Sequence, residues 1–514
     1  MEKIDFKIPE NIKGLHIHFV GIKGTGMAAF VEIMFYSGAV ITGSDVSEHF
    51  YTDEILEKLG IKPLCFSENN INNEIDFVIY SSAYKLDKNP DLIAAVKKNI
   101  PCILYNQALG QYSSFFHSCG ICGVHGKTST TGIAGTILKE LNLPVQILSG
   151  SKIQSFGDSC IYTSKDFIDS KRKNQNKAVF VAETCEYQRH FMEFCPKNII
   201  LTSVESDHED YYPTFKDIQN AFVDYICKLP AGGNLIYCAD DKGATQTVQI
   251  VKNEKKRNDI NYIPYGNSCN FGDLKLCDFG VNFGDIYDGF QHFSVNYFLK
   301  NGCGDFALAI PGHHEVLDSV AAIALCCKIL EYFGKNPVLY YENIASGVKK
   351  FAGGKRRSEI IKKIKICGND VLIIDDYGHH PTAVKTTLKG YREFYKNRKI
   401  IIDFMSHTYS RTQSLLTEFS QCFDDADEII LHKIYSSARE NPADFEINGK
   451  TLFEKTKENY KNSKQVFYFE QVLDAKDFII QELSKPLSKE YEGYLFITMG
   501  AGDNWKLGQQ IKEL

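Results

Sequence analysis

The sequence predicts an α/β protein of three domains, each a mostly parallel sheet with helices between its strands. Three observations predict it. At 514 residues the chain is too long for one hydrophobic core, and the usual domain size gives about three. Apolar runs of strand length alternate with helix-compatible stretches, the pattern of βαβ units. Two glycine-rich loops, 21–26 and 120–126, each lie between an apolar run and a helical run, where a parallel sheet binds phosphate.

Composition bounds the class. Hydrophobic residues are 44% and charged residues 24% of the chain, as in ordinary globular domains. A net charge of −6 is too mild to point to nucleic acid or an acidic membrane surface. The sixteen cysteines are scattered, mostly in apolar runs such as Ala324-Leu-Cys-Cys-Lys328. Cys119 and Cys122 flank the second glycine-rich loop without a further pair downstream, so buried free thiols are preferred over zinc or a redox pair. Free thiols imply a reducing compartment. The start, Met1-Glu-Lys-Ile-Asp-Phe6, has no apolar signal core, and no run approaches the roughly 18 apolar residues of a membrane span. A cytoplasmic protein that does not insert into a membrane is expected.

The first domain is placed at 1–113. Leu15–Val20 reads as a buried parallel strand, followed by Gly21-Ile-Lys-Gly-Thr-Gly26-Met27 and a helix over Ala28–Ser37. A second strand, Val40-Ile-Thr-Gly-Ser-Asp45, ends on an acid, and Phe77-Val-Ile-Tyr-Ser-Ser82 is a third. This is the layout of a Rossmann-like dinucleotide unit, but Lys23 stands where that fingerprint has its middle glycine, which weakens an ordinary NAD site.

The second domain is placed at 114–346. Gly120-Ile-Cys-Gly-Val-His-Gly-Lys-Thr-Ser-Thr-Thr131 reads as strand, phosphate loop and helix start. Amide groups at such a helix start favour a polyphosphate; Lys127 would reach the β- and γ-phosphates and the Thr128 hydroxyl would hold Mg²⁺. The usual first glycine falls on Ile121, and a bare Gly-Lys-Thr also arises by chance. Strands Ala178–Glu183 and Asn198–Ser203 finish at polar residues, so Lys127, Glu183 and His208 converge on one sheet edge. Glu205-Ser-Asp-His208-Glu-Asp210 is dense in ligand-type residues, whereas a single acid after a strand is ordinarily a solvated loop residue. The polar stretches Lys165–Lys177 and Lys252–Asn261 read as surface insertions. More strands cover about 262–310, and a helix spans Leu317–Phe333.

The third domain, 347–514, repeats the alternation. Val371–Asp376, a strand from Lys399, Glu428-Ile-Ile-Leu431 and Tyr494–Met499 are its strands, the last ending at Gly500-Ala-Gly-Asp503. Asp375-Asp-Tyr-Gly-His-His-Pro381 puts acids, a phenol and two imidazoles at a strand end, where function concentrates; the alternative is a turn with a capping Asp. His407 and Arg411 would share a helical face, and Arg suits a carboxylate. Lys355-Arg-Arg357 is either a solvated face or a cationic group that closes onto phosphates.

Together these motifs resemble the Mur ligase family, over nearly the whole chain. The resemblance rests on His18–Met27, Gly43-Ser-Asp45, Ser81-Ser-Ala83, the phosphate loop, Ala182-Glu183, Asp207-His-Glu-Asp-Tyr211 and Arg356-Arg357. It continues through Asp375–Thr382, His407-Thr-Tyr-Ser-Arg-Thr412 and Met499–Asp503. The His-His-Pro and His-x-Tyr-Ser-Arg-Thr elements resemble the alanine-adding branch. The resemblance implies a cytoplasmic, ATP-dependent ligase with UDP-N-acetylmuramate and L-alanine as partners, Mg²⁺ as cofactor, and a monomer or homodimer as the working state. It implies that the first domain binds the UDP-sugar through Gly21, Gly24, Gly26, Met27, Asp45, Ser81 and Ser82. It places ATP on Gly123, Val124, His125, Gly126, Lys127, Thr128 and Ser129, with Arg356, Arg357 and Asp376 closing from the third domain. It assigns metal binding to Thr128, Glu183 and His208, and the alanine pocket to Tyr377, His379, His407 and Arg411.

The chain departs from the family pattern at four positions. Glu315 and Asp318 stand where the family has an Asn pair that meets adenine, and an ionised acid accepts a hydrogen bond but cannot donate one. Cys185 stands where an acid is common, and Thr408 where an Arg is common. Within the family, a ligase attaching a preformed peptide, or one using Gly or Ser, remains an alternative. From other classes, an NAD-dependent dehydrogenase and a non-catalytic nucleotide-binding regulator are the rivals.

Overall fold

The computed structural model describes residues 6–50, 52–172, 177–270, 277–436 and 440–514. They form three sheets in chain order. The first has four strands, β1 (His16–Val20), β2 (Val40–Ser44), β3 (Phe77–Tyr80) and β4 (Cys102–Leu104), in the order β2-β1-β3-β4. All of its pairings are parallel. Phe77-Val-Ile-Tyr80 is buried at every position, as a strand covered on both faces must be.

The second sheet has ten strands. They are β5 (His117–Cys122), β6 (Val145–Ile153), β7 (Ser159–Thr163), β8 (Val179–Glu183), β9 (Asn198–Leu201), β10 (Asn234–Cys238), β11 (Asn261–Gly266), β12 (Phe279–Tyr287), β13 (Phe290–Val295) and β14 (Asp305–Leu308). Their order is β14-β13-β12-β11-β10-β9-β5-β8-β6-β7. The chain leaves β5 toward β6 and later returns to β9 on its other side, so β5 lies at a switch point. A crevice opens there, beyond the carboxyl ends of β5, β8 and β9. Antiparallel pairs close both edges, β6 with β7 and β12 through β14.

The third sheet contains β15 (Glu359–Ile366), β16 (Asn369–Asp376), β17 (Arg398–Phe404), β18 (Glu428–Leu431), β19 (Gln465–Tyr468) and β20 (Gly493–Met499), in the order β15-β16-β20-β17-β18-β19. Only β15 runs antiparallel to its neighbour. The helix Pro381–Phe394 starts sharply because Pro381 occupies its first turn and the His380 side chain accepts from the Thr382 N–H, a favourable N-terminal arrangement. Among the described residues, no helix is long and apolar enough to cross a membrane. All sixteen cysteines are free thiols, and Cys119, Cys122, Cys326 and Cys327 are buried.

Several sequence expectations need correction. The polar stretch at Lys165–Lys177 begins with a helix, Lys165–Arg172, and Lys252–Asn261 is the end of one helix plus a short connection into β11. The long helix starts at His313, not Leu317, and runs to Tyr332. Its apolar residues are distributed all round because it lies deep against the helix Lys127–Glu140. The boundary expected at 346 falls inside the helix Tyr341–Lys350. That helix packs on the middle unit, where a Cβ on Gly347 would meet Ile137 Cα at 2.5 Å. The passage to the third sheet therefore lies after Lys350.

The third unit touches the middle one backbone to backbone. A Cβ built on Gly390, in the helix Pro381–Phe394, would lie 2.7 Å from Gly312 Cα. Gly312 caps the helix His313–Tyr332. Gly390→Ala is therefore expected to destabilise the protein by about 1–3 kcal/mol, the usual cost of overpacking. Denaturant unfolding measures it, and an unchanged midpoint would mean that the two helices do not rest together in solution.

Candidate active site

The phosphate loop is built by two glycines that no other residue could replace without movement. Gly123 has φ 139° and Gly126 φ 80°. A Cβ at Gly123 would lie 2.0 Å from Thr202 Oγ1, and one at Gly126 would lie 2.4 Å from Asp318 Oδ1. The end of β9 props the loop from below. The Val124 N–H donates to Ser203 O (3.1 Å), the His125 N–H to Ser203 Oγ (2.9 Å), and the Thr202 hydroxyl to His125 O (2.5 Å). The Val124 and His125 amides are thus engaged by β9, and the helix-start amides of Lys127, Thr128 and Ser129 are the ones directed at an anion.

Lys127 is folded over this loop. Its ammonium donates to Gly123 O at 2.5 Å and to Glu186 Oε1 at 3.0 Å. Burial alone would lower its pKa, but the carboxylates of Glu186 and Glu183 raise it, so it stays charged. Burial likewise favours the neutral form of Glu186, yet Lys127 and then His208 hold that carboxyl below its ordinary range. The Thr128 hydroxyl donates to Glu183 Oε2 at 2.9 Å, and the Gly150 N–H donates to the same oxygen. His208 is met by a different acid: its Nε2 lies 3.6 Å from Glu186 Oε1 and 3.8 Å from Asp207 Oδ2. Of the three residues assigned to metal, Thr128 and Glu183 are therefore in contact, while His208 sits with Glu186. The Thr128–Glu183 oxygen pair beside a phosphate loop suits a hard cation such as Mg²⁺.

The third unit supplies the opposite wall. Arg411 reaches across to Asp207, with Nη2 at 2.6 Å and Nε at 3.1 Å from the same oxygen. Burial would raise the Asp207 pKa, but Arg411 holds its carboxyl well below the usual carboxylate range. His379 is driven far down by burial and then by Arg411, so it is neutral. Its ring lies 5.1 Å from Tyr377 and 6.3 Å from His407. These four alanine-pocket candidates do come together. They do not share a helical face: the helix is Tyr409–Ser414, and His407 precedes its cap, Thr408, which has φ 68°. Arg411 Nη1 instead reaches back to His407 O at 3.3 Å.

Arg356 and Arg357 both flank the Tyr377 ring. Arg356 is consumed within its own unit, by Asp375 at 2.8 Å and by the carbonyls of Gly500 and Gly502 at 2.6 and 3.2 Å. The charge of Arg357 acts on Asp376, Glu315 and Asp318, lowering each against its burial. Asp376 accepts the Ser358 and Gly378 N–H groups, both at 2.7 Å. In the first unit, Asp45 accepts from Lys23 N (2.7 Å) and Tyr84 OH (3.1 Å). The Lys23 ammonium is drawn off to Glu48 O and Asp53. Gly21 and Gly26 crowd Tyr84 and Tyr105, which a Cβ on either would approach to 2.7 Å. Gly24 caps the helix Thr25–Tyr36 in which Met27 is buried, and Ser81 and Ser82 follow β3, with the Ser81 N–H donating to Val20 O at 3.0 Å.

Comparison with known proteins fits this geometry. Residues 16–117 match the family model described as Mur ligase family, catalytic domain; 121–326 match the Mur ligase middle domain; and 356–502 match the Mur ligase, glutamate ligase domain. The chain belongs to the Mur ligase family. It is 42% identical over 506 residues to the UDP-N-acetylmuramate–L-alanine ligase of Treponema pallidum (strain Nichols), covering 98% of this chain and 97% of that protein. It is 36% identical over 509 residues to the protein of the same name from Borreliella burgdorferi, covering 98% and 99%. Among solved structures it is similar to the UDP-N-acetylmuramate–alanine ligase of Thermotoga maritima, with TM-score 0.71, 22% identity and coverage of 97% and 98%. A murein peptide ligase from Psychrobacter arcticus gives TM-score 0.64 at 22% identity and the same coverage. These two structures speak to the fold alone.

Two acids of this candidate site were not picked out from sequence as functional. Glu186 holds Lys127 and His208, and its signal was the spacing Glu183-x-x-Glu186. Asp207 lies in the ligand-dense loop after β9, but its partner Arg411 is 204 residues away.

The departures at 315 and 318 also take physical form. The Ser129 hydroxyl donates to Glu315 Oε1 at 2.9 Å, while Oε2 is buried without a hydrogen-bond partner among the described residues. Burial, and then Asp376, push the Glu315 pKa to about 7. Asp318, against Gly126, is raised well above its ordinary value by burial and then by Glu315. A protonated carboxyl donates and accepts, as an amide does, so these acids can do what an Asn pair would.

A raised folded pKa means that folding holds a proton which the unfolded chain releases near pH 4.5. Stability from this group is therefore full below pH 4.5 and lost as pH rises through 7. Glu315→Gln removes the penalty. Its stability relative to wild type should rise by about 2–3 kcal/mol between pH 5 and 8.5, measured by thermal or denaturant unfolding. A pH-independent difference would contradict the buried, proton-holding carboxyl.

Proposed function

We propose that this chain is the ATP-dependent ligase that joins L-alanine to the lactyl carboxylate of UDP-N-acetylmuramate, giving UDP-N-acetylmuramoyl-L-alanine, ADP and phosphate for peptidoglycan synthesis. The observation that carries the reading is full-length identity of 42% to an enzyme of that name. The buried Asp207–Arg411 contact supports it by joining the phosphate-loop unit to the alanine-pocket loops. The enzyme acts in the cytoplasm, as a monomer or homodimer.

In this reading the first unit binds the UDP-sugar, with the glycines of 21–26 against the diphosphate. The second binds ATP. The lactyl carboxylate oxygen attacks the γ-phosphorus, the bond to the β–γ bridging oxygen breaks, and ADP leaves. The resulting acyl phosphate is attacked by the alanine amine. The tetrahedral intermediate then collapses, forming the amide and expelling phosphate. Positioning and charge neutralisation supply most of the catalysis in such transfers.

Lys127 follows the migrating phosphoryl group, kept cationic by Glu186. Arg357, whose charge faces Asp376, closes on the phosphates, while Arg356 positions the strand end through Asp375. Thr128 and Glu183 would hold Mg²⁺, with Glu186 and His208 nearby. The ion, when bound, screens phosphate charge. Asp376 shapes the nucleotide side through Ser358 and Gly378, and Ser129 with Glu315 and Asp318 lines its far end. Arg411 offers the alanine carboxylate a guanidinium, shared with Asp207, between Tyr377, His379 and His407. Neutral His379 can accept a hydrogen bond from the amine.

Phosphate release should require UDP-N-acetylmuramate and L-alanine together. Release that ignores the amino acid would sink the ligase reading, and release stimulated by a peptide but not by alanine would mark a peptide-attaching ligase. Lys127→Ala should lower kcat by more than about 1,000-fold while UDP-N-acetylmuramate binding, followed by calorimetry, stays within a few-fold. Similar turnover in the two proteins would remove Lys127 from its role.

A further inference from the structure

A second cluster of metal-ligating side chains lies apart from Thr128 and Glu183. His125 on the phosphate loop, Glu205 after β9 and His380 at the start of the helix Pro381–Phe394 each offer one donor atom, and these atoms lie within 4.8 Å of one another. His125 Nε2 is 3.0 Å and His380 Nδ1 3.7 Å from the same carboxylate oxygen, Glu205 Oε2. The other oxygen of Glu205 accepts the Thr382 hydroxyl at 2.8 Å, which fixes the carboxylate with Oε2 toward both imidazoles. His125 is fixed as well, through its amide to Ser203 and its carbonyl to Thr202. His380 is almost fully buried, and its Nε2 has no hydrogen-bond partner among the described residues.

Two imidazoles and one carboxylate form a donor set for a borderline transition metal, whereas Mg²⁺ prefers oxygen alone. Donors bound at about 2.1 Å around one tetrahedral ion stand roughly 3.4 Å apart, which the two imidazole–carboxylate distances of 3.0 and 3.7 Å bracket. Burial, and then His125, push the His380 pKa to about 4, which leaves it neutral; its Nδ1 lone pair, which in this structure accepts the Thr382 N–H at 3.4 Å, would turn to the ion. Glu205 is held below its ordinary range against its burial, first by the hydrogen bond from His125.

We propose that His125, Glu205 and His380 bind a divalent transition-metal ion of the Zn²⁺ or Co²⁺ class, which staples the third unit to the phosphate loop and the β9 loop. The ion would be separate from any Mg²⁺ at Thr128 and Glu183. It joins residues 255 positions apart in sequence, so it favours the closed arrangement of the two units.

The test uses the full chain, treated with a chelator and then held in saturating Mg²⁺ so that the oxygen site is filled. Co²⁺ is titrated and its visible absorption followed, with calorimetry for stoichiometry. One ion per chain with the intense bands of a four-coordinate, nitrogen-containing site is expected. Glu205→Gln and His380→Asn, the latter keeping a capping side chain, should each weaken binding at least about tenfold, with circular dichroism unchanged. Absence of Co²⁺ bands in the wild type, or wild-type affinity in both variants, would overturn the proposal.

Discussion

The composite site depends on one buried ion pair, Asp207 with Arg411. It joins the loop after β9 to the third unit, both partners almost fully buried. Taking two charges out of water is costly, and removing either partner leaves an uncompensated charge worth about 3–5 kcal/mol. The pair therefore fixes where the third unit sits. The Gly312–Gly390 approach and the Thr382–Glu205 hydrogen bond lie on the same seam. Through it Tyr377, Arg357 and Asp376 come to face the phosphate loop.

Around that seam the charges are arranged in contrasting ways. Lys127, Glu186 and Asp207 are buried yet ionised, because each meets an opposite charge at hydrogen-bond distance. Glu315 and Asp318 are buried with no cation in contact among the described residues, and burial pushes both carboxyl pKa values up. The same burial thus gives a charged phosphate cradle on one side and a neutral, hydrogen-bonding wall on the other.

The central strands were legible because continuous apolar runs such as Phe77–Tyr80 and Val371–Asp376 are buried on both faces and end at functional loops. The edge strands were not. Glu359–Ile366 carries alternating charge on a half-exposed edge, and β6–β7 and β12–β14 pair antiparallel around irregular turns. The site was legible where residues adjoin a glycine loop, as at 123–129, or cluster in a short motif, as at 375–381. Pairings between distant loops were hidden, since spacing carries no trace of Asp207 meeting Arg411. Glu186 was hidden by irregular backbone, with Gln188 and Arg189 both at positive φ just beyond it. The helical alignment of His407 with Arg411 failed for a similar local reason, because the left-handed Thr408 starts the helix one residue too late.

In the proposed reaction the middle unit holds ATP so that a carboxylate bound to another unit takes its γ-phosphoryl group. Isotope transfer follows the carboxylate oxygen. UDP-N-acetylmuramate labelled with ¹⁸O in the lactyl carboxylate is turned over with ATP and L-alanine, and the released phosphate is analysed by mass. One ¹⁸O atom is expected in each phosphate, carried from the carboxylate through the acyl phosphate. Unlabelled phosphate formed alongside the amide product would contradict it.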